Sequence, residues 1–408
     1  MPGNQLTTVA ADNLSGSGGW RERIRPKTRA PFCLVLLGLA GSTLVMAGEE
    51  PDSPARFAGS AGCSASSCHG GGGSTQSEFT QWSKLDFHHE RPFATLTTPR
   101  AARIAENLKI SDPTQDARCT VCHAPLQTVP AGLLSKDNKI TEGVSCENCH
   151  APAENWLRSH TRKDWTTADR VQAGMRDLKN LYVRANTCVA CHQNVDAETR
   201  AAGHPELMFE LDGQSATEPR HWAKSKDKPG PQIWLVGQAV ALREISWQLA
   251  GEKNPEQNLR DQWTGLLRLL QPMSGMESHW PAFEPGFLAT NADAWAGVQR
   301  WSDEFAKAAA NVVWSDDLTR HCLKTLAGSI DPLADRDLST MAQARYAERL
   351  VLVLDRLMVS LPSLPANAKL NHALNQLFDD VQSLPDFAPL RFARDLNEFR
   401  RNLSDVSP

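Results

Sequence analysis

Cys119-Thr120-Val121-Cys122-His123, Cys146-Glu147-Asn148-Cys149-His150 and Cys188-Val189-Ala190-Cys191-His192 are three copies of one pattern, C-x-x-C-H. With 10 Cys and 12 His in the chain, random order would produce one such pentapeptide in roughly 1% of chains. Three in one segment therefore carry a function. In a helical turn, residues three and four apart share a face, so both thiols and the imidazole point the same way. Two sulfurs at one edge and a histidine beside them suit covalent attachment of a porphyrin, with the histidine as proximal iron ligand. A zinc site would pair C-x-x-C units with each other and would not need a histidine after every second cysteine. A redox dithiol would occur once, beside a βαβ pattern, and a disulfide framework would lack the repeated Cys-His. The motifs predict c-type haem.

A fourth copy is stretched. Cys63-Ser64-Ala65-Ser66-Ser67-Cys68-His69 reads C-x-x-x-x-C-H. Cys63 and Cys68 would not share a face on a regular helix, so the segment must bulge or loop. The surrounding Gly and Ser permit that, and Gly70 to Gly73 release the chain afterwards. Beside three ordinary sites it reads as a further attachment site. Four covalent haem c groups are expected, on Cys63/Cys68, Cys119/Cys122, Cys146/Cys149 and Cys188/Cys191, with His69, His123, His150 and His192 as proximal ligands.

The sixth ligands must come from outside the motifs. Neutral imidazole is a common partner for low-spin iron. A helix-like segment from Phe79 to Leu96 carries His88 and His89; His160 follows Trp156; His204 sits between Gly203 and Pro205, which fix a turn; His221 precedes Trp222 in a basic loop. His89, His160, His204 and His221 are the distal candidates, with His88 an alternative to His89. Which one serves which haem is not readable from spacing.

Trp82 with His89-Glu90-Arg91-Pro92-Phe93-Ala94, Gly143 to His150, Trp156 to His160, and Ala202-Gly203-His204-Pro205 resemble the multihaem cytochrome c-554 family. The resemblance covers roughly residues 57–225. It implies a tetrahaem electron-transfer module of the kind that accepts electrons from hydroxylamine oxidoreductase, and it says nothing specific about this chain's redox partner. The expanded first site departs from the family pattern, and the position of Phe93-Ala94 favours His89 over His88. The family includes members with one five-coordinate haem.

The 408 residues leave room for two domains. A formal charge of −4 and a pI near 6.3 point away from nucleic acid or an anionic membrane surface as partner. A basic run from Arg21 to Arg29 precedes an apolar stretch from Phe32 to Ala47. Val45 and Ala47 satisfy the small-residue rule for cleavage after Ala47, so a secretory signal peptide is expected; an uncleaved membrane anchor is the other reading, although the run falls slightly short of ~20 apolar residues. Both export the body of the protein, where thioether haems are attached.

From Pro231 the pattern is helical. Trp234, Leu235, Gln238, Leu242, Ile245 and Leu249 form one stripe, and Leu259, Trp263, Leu266, Leu267 and Leu270 a second that stops at Pro272. Asn291 and Ser315 cap the next two, Gly328 closing the latter; Ser339 to Ser360 and a helix through Leu370, Leu374 and Leu377 follow. About six amphipathic helices predict a bundle. His279, His321, His372 and Cys322 have no ligand spacing there and read as structural.

The fold expected is mainly α: signal peptide over 1–48, a loop-rich tetrahaem c-type module over 49–230, and an all-α helical domain over 231–408. Two functions fit. One is an exported, periplasmic electron carrier with closely spaced bis-histidine haems, working between redox partner proteins. The other is a multihaem reductase or oxidase of a small nitrogen or sulfur compound, with one open iron. Association with a membrane complex through the helical domain is a third possibility. No catalytic triad, phosphate loop or paired catalytic carboxylate stands out.

Overall fold

The computed structural model describes residues 54–73, 76–222, 230–382 and 386–405. The segment expected to be a signal peptide lies outside the described residues. The described chain is helical; its only β feature is an isolated bridge between Phe57 and Leu134.

Short helices and turns make up the first part: α1 Glu78–Leu85, α2 Phe87–Glu90, α3 Pro92–Thr95, α4 Pro99–Leu108, α5 Ala117–His123, α6 Cys146–His150, α7 Thr167–Gln172, α8 Leu181–His192, α9 Ala197–Ala201 and α10 Leu211–Thr217. The helix expected from Phe79 to Leu96 is three pieces. Asp86 breaks it with ψ 65°, and its side chain turns back to accept the His89 N–H; Pro92, with no N–H to donate, starts the next turn.

Longer helices follow: α11 Gly230–Gly251, α12 Gln257–Leu270, α13 Ala292–Asn311, α14 Asp316–Ala327, the single turn α15 Asp331–Ala334, α16 Thr340–Val359, α17 Ala368–Gln382 and α18 Pro389–Ser404. The expected caps are in place. Asn291 accepts from the Ala294 N–H, Ser315 from Leu318, and Ser339 from Ala342. The sixth expected helix, α17, is followed by α18, which the sequence reading passed over although Phe392, Leu396, Phe399 and Leu403 form a buried stripe. α11 is also more than a striped helix: Val236, Ala239, Val240 and Ala241 are buried along with Trp234, Leu235, Leu242, Ile245 and Leu249. A helix that is apolar all round belongs in the middle of a bundle. Accordingly α11 packs on α12, α13 and α16, and on α8 and α10 from the first part.

Apolar burial divides unevenly. The core is contributed mostly by α11–α18, with Leu181, Ala185, Val189, Phe209 and Leu211 joining it from the first part. At about 1.5–3 kcal/mol per fully buried large side chain, this cluster is the main stabilising term. Outside it, residues 54–222 bury few large apolar side chains, among them Leu96, Leu108, Leu126 and Trp156.

Candidate functional site

Each of the three C-x-x-C-H motifs is the end of a helix, with its histidine as the last helical residue: His123 on α5, His150 on α6 and His192 on α8. The starts of these helices are fixed locally. Asp116 accepts from the Arg118 N–H at 3.0 Å. Asn148 Oδ1 takes both the backbone N–H and the hydroxyl of Ser145, at 2.7 and 3.0 Å. Asn180 caps α8. The stretched fourth motif is no regular helix. A 3-10 turn over Ser60–Cys63 runs into further turns, and the His69 N–H returns to the Cys63 carbonyl at 3.2 Å. The extra residues are looped, as the spacing required. All eight motif cysteines are free thiols.

The histidines outside the motifs come to those inside. The rings of His69 and His160 lie 6.0 Å apart between centroids, those of His123 and His204 6.5 Å, and those of His89 and His192 6.3 Å. A histidine nitrogen sits about 2.0 Å from a metal it ligates. Adding the depth of the imidazole on each side, two rings trans across one iron have centroids about 6 Å apart. The three pairs have that spacing. Among the described residues no ring contacts His150; His221 is the first of the histidines, with His69 and His160, whose charges bear on it. His88 is exposed and also near His192, at 5.5 Å. His279, His321 and His372 are exposed on the bundle.

An iron ligand also needs its other ring nitrogen occupied, which fixes tautomer and orientation. Nδ1 is so held in most of these residues. His69 meets Glu78 Oε2 at 3.1 Å, His89 meets Asp86 Oδ2 at 2.8 Å, and His123 meets the Pro92 carbonyl at 2.9 Å. His160, His204 and His221 meet the carbonyls of Leu157, Pro205 and Pro219 at 2.7, 2.8 and 3.2 Å. His192 Nδ1 lies 3.2 Å from the Gln214 amide, whose Oε1 is buried without a partner. Turning that amide over, an assignment open in any such structure, sets Oε1 on Nδ1 and satisfies both. His150 Nδ1 is buried without a hydrogen-bond partner. Asp86, Glu78 and Gln214 were not singled out from sequence; only Asp86 left a signal there, three residues before His89 on one helical face.

Electrostatics favour neutral imidazole at His123, His150 and His192. Burial pushes His150 and His192 down to about 4, helped by the surrounding histidines. Burial also lowers His123. For His89, burial works downward, but the hydrogen bond and charge of Asp86 outweigh it and the group is raised. The thiols of Cys149 and Cys188 are pushed up to about 12 and 11 by burial. Thiols from different motifs also approach each other: Cys63 is in hydrogen-bond contact with Cys146, and Cys122 with Cys191.

Gly143 ties the lead-in of the third motif to the backbone at His89. At φ 78°, its position leaves no room for a Cβ, which would stand 2.6–2.8 Å from Pro92 Cδ and the carbonyls of His89 and Glu90. The close approach lets the Val144 N–H reach the His89 carbonyl at 2.8 Å. Trp82 Nε1 then donates to the Val144 carbonyl at 3.0 Å.

The donor set fits haem: free thiol pairs beside helix-terminal histidines, and facing histidines at ligand spacing. Among the described residues no helix is long and apolar enough to cross a membrane. Residues 62–151 match the family described as cytochrome c554 and c-prime. No curated protein and no solved structure matches the chain. The matched stretch holds three of the four motifs and His89, and stops short of Cys188, the other distal candidates and the helical bundle. Over residues 62–151 the chain is therefore similar to a cytochrome c-554-like multihaem family, in keeping with the resemblance read from its motifs.

Proposed function

We propose that this chain is an exported tetrahaem c-type cytochrome that passes single electrons between redox partner proteins. Cys63/Cys68, Cys119/Cys122, Cys146/Cys149 and Cys188/Cys191 would hold haem c, and His69 with His160, His123 with His204, His150 with His221 and His192 with His89 would supply the iron ligands. The observation that carries this reading is the facing of motif and non-motif histidines at about 6 Å, with Nδ1 engaged and Nε2 left for iron. His89 is preferred to His88 because Asp86 orients its ring.

Bound haem c supplies a one-electron iron couple; the chain's residues place and insulate the sites. Two strong ligands hold the coordination fixed between redox states. The thiol contacts support a first site beside the third and a second beside the fourth. Cys188 bears electrostatically on Cys149, and Cys149 on Cys191, which supports a third site beside the fourth. These contacts support an order of neighbours of first, third, fourth, second. The N-terminal apolar segment and the need for thioether attachment outside the cytoplasm support export. The donor and acceptor are redox proteins suited to a chain of net charge −4.

A second reading, a multihaem reductase of a small nitrogen or sulfur compound, is favoured by one observation: among the described residues no ring contacts His150, so an open iron would belong at the third site. Carbon monoxide added to the fully reduced protein decides between them. The carrier leaves carbon monoxide unbound. Rapid binding of one equivalent would overturn the carrier and support the reductase.

A further inference from the structure

The bundle carries no attachment motif, yet one of its helices grips the haem segment beside two of the proposed ligand sites. Between His204 and Gln214 the chain runs as a strap over α16 and α11. Glu206, Glu210 and Asp212 on the strap meet Arg345, Arg349 and Arg356 on α16. Glu206 Oε2 lies 2.9 Å from Arg345 Nη2, Glu210 Oε1 lies 3.5 Å from Arg349 Nη1, and Asp212 bonds Arg356 Nε. The arginines are spaced by four and seven residues, so they share one helix face. Arg349 is buried, its side chain 3% exposed, and Gln238 of α11 accepts from it at 2.6 Å while donating to the Phe209 carbonyl at 3.3 Å. Leu211 enters a notch at Gly237, where any Cβ would stand 2.7 Å from its own Cβ.

Both ends of this strap bear on iron-ligand candidates. His204, two residues before Glu206, faces His123. Gln214, two residues after Asp212, contacts His192 Nδ1 at 3.2 Å. A strap fixed at three ion pairs and an apolar notch delivers these two groups in register. A strap fixed by its own short helices would not, since α10 has only seven residues and isolated helices of that length are unstable.

We propose that Arg345, Arg349 and Arg356 are positioning residues for the second and fourth haem sites, so that the bundle acts as the scaffold of the axial ligands. The inference rests on the ligation proposed above. The ion pairs act through the strap: their loss lets His204 leave its position and lets the His192 ring lose its Gln214 partner.

The test uses the full-length, haem-loaded protein and the double variant Glu206→Gln/Asp212→Asn, which keeps side-chain volume and removes two of the strap's charges. Ferric spin state and carbon monoxide stoichiometry are compared with the unaltered protein. The expected result is a gain of up to one bound carbon monoxide per molecule over the unaltered protein, a matching high-spin signal, and reversal by added imidazole. Asp212→Glu, which retains the charge, is expected to behave as the unaltered protein. Arg268→Gln, which breaks the ion pair of Arg268 with Asp335 within the bundle, is expected to change neither readout. Where the double variant loses helix content, Asp212→Asn alone carries the same comparison. Unchanged spin state and stoichiometry in a folded, fully loaded variant would overturn the proposal, as would an equal gain in Arg268→Gln. Absence of low-spin haem from the unaltered protein would instead overturn the ligation on which it rests.

Discussion

Replacing Glu147 by Gln tests how the first and third proposed attachment sites are held together. Glu147 is the first variable residue of C-E-N-C-H, and it is 2% exposed. Its carboxylate accepts three backbone N–H groups: Oε1 from Ala58 at 2.9 Å and Ala153 at 2.7 Å, Oε2 from Gly59 at 2.7 Å. Ala58 and Gly59 lead directly into the turn that presents Cys63. A glutamine can keep the two bonds to Oε1, but it must aim its amide donor at the Gly59 N–H. One charge-assisted bond is lost, about 1.5–3 kcal/mol net, and a buried donor is left without a partner, about 1–3 kcal/mol. Allowing for partial relaxation, Glu147→Gln is expected to destabilise the loaded protein by about 3 kcal/mol. Chemical denaturation followed by far-ultraviolet circular dichroism reads this directly, and intact mass should show a fraction lacking one haem. A loss below about 0.5 kcal/mol would show that the carboxylate is not the tie between the two sites.

The mature protein is expected to show four haem increments by intact mass; three would remove Cys63/Cys68 from the attachment sites. His160→Leu and His204→Leu should each convert one haem to high spin, whereas His88→Leu should leave the spectrum low-spin; conversion by His88→Leu would transfer the ligand role from His89. Asp303 links α8 to the bundle, and burial would raise its carboxyl, but hydrogen bonds from Lys307, Tyr182 and Arg243 outweigh this and hold it below the ordinary carboxylate range. A group depressed in the folded state stabilises fully above its unfolded value near 3.9 and loses that contribution as pH falls through the folded value, so Asp303→Asn should weaken stability at neutral pH and flatten the loss between roughly pH 4 and pH 2 in acid titration.

What was legible in this sequence follows from how locally each feature is encoded. The proposed proximal ligands are adjacent to their cysteines, so a five-residue window suffices for three of them, and the structure adds that His123, His150 and His192 each end a helix. Caps are equally local: Asn291, Ser315 and Ser339 are one-residue signals, and each side chain accepts the hydrogen bond expected of it. Pairing is not local. His69 meets His160 and His123 meets His204 across long loops whose closure depends on Gly143, Glu147 and the strap below His204. None of these has a periodic signature. The interruption at Asp86 went unread for a related reason. Apolar spacing from Phe79 to Leu96 suits one helix, and only the competing use of Asp86, as cap and as the carboxylate behind His89, breaks it. The arginines of α16 lie at helical spacing in plain view, but a charged stripe usually denotes a solvated face. Its meaning depends on Glu206, Glu210 and Asp212 arriving from a segment more than a hundred residues away. The same distance argument applies to the contacts of the attachment-free bundle with the first part of the chain: they run through α8 and α10 on α11, Leu211 in the Gly237 notch and the ion pairs of α16, none of which leaves a pattern in a single stretch of chain.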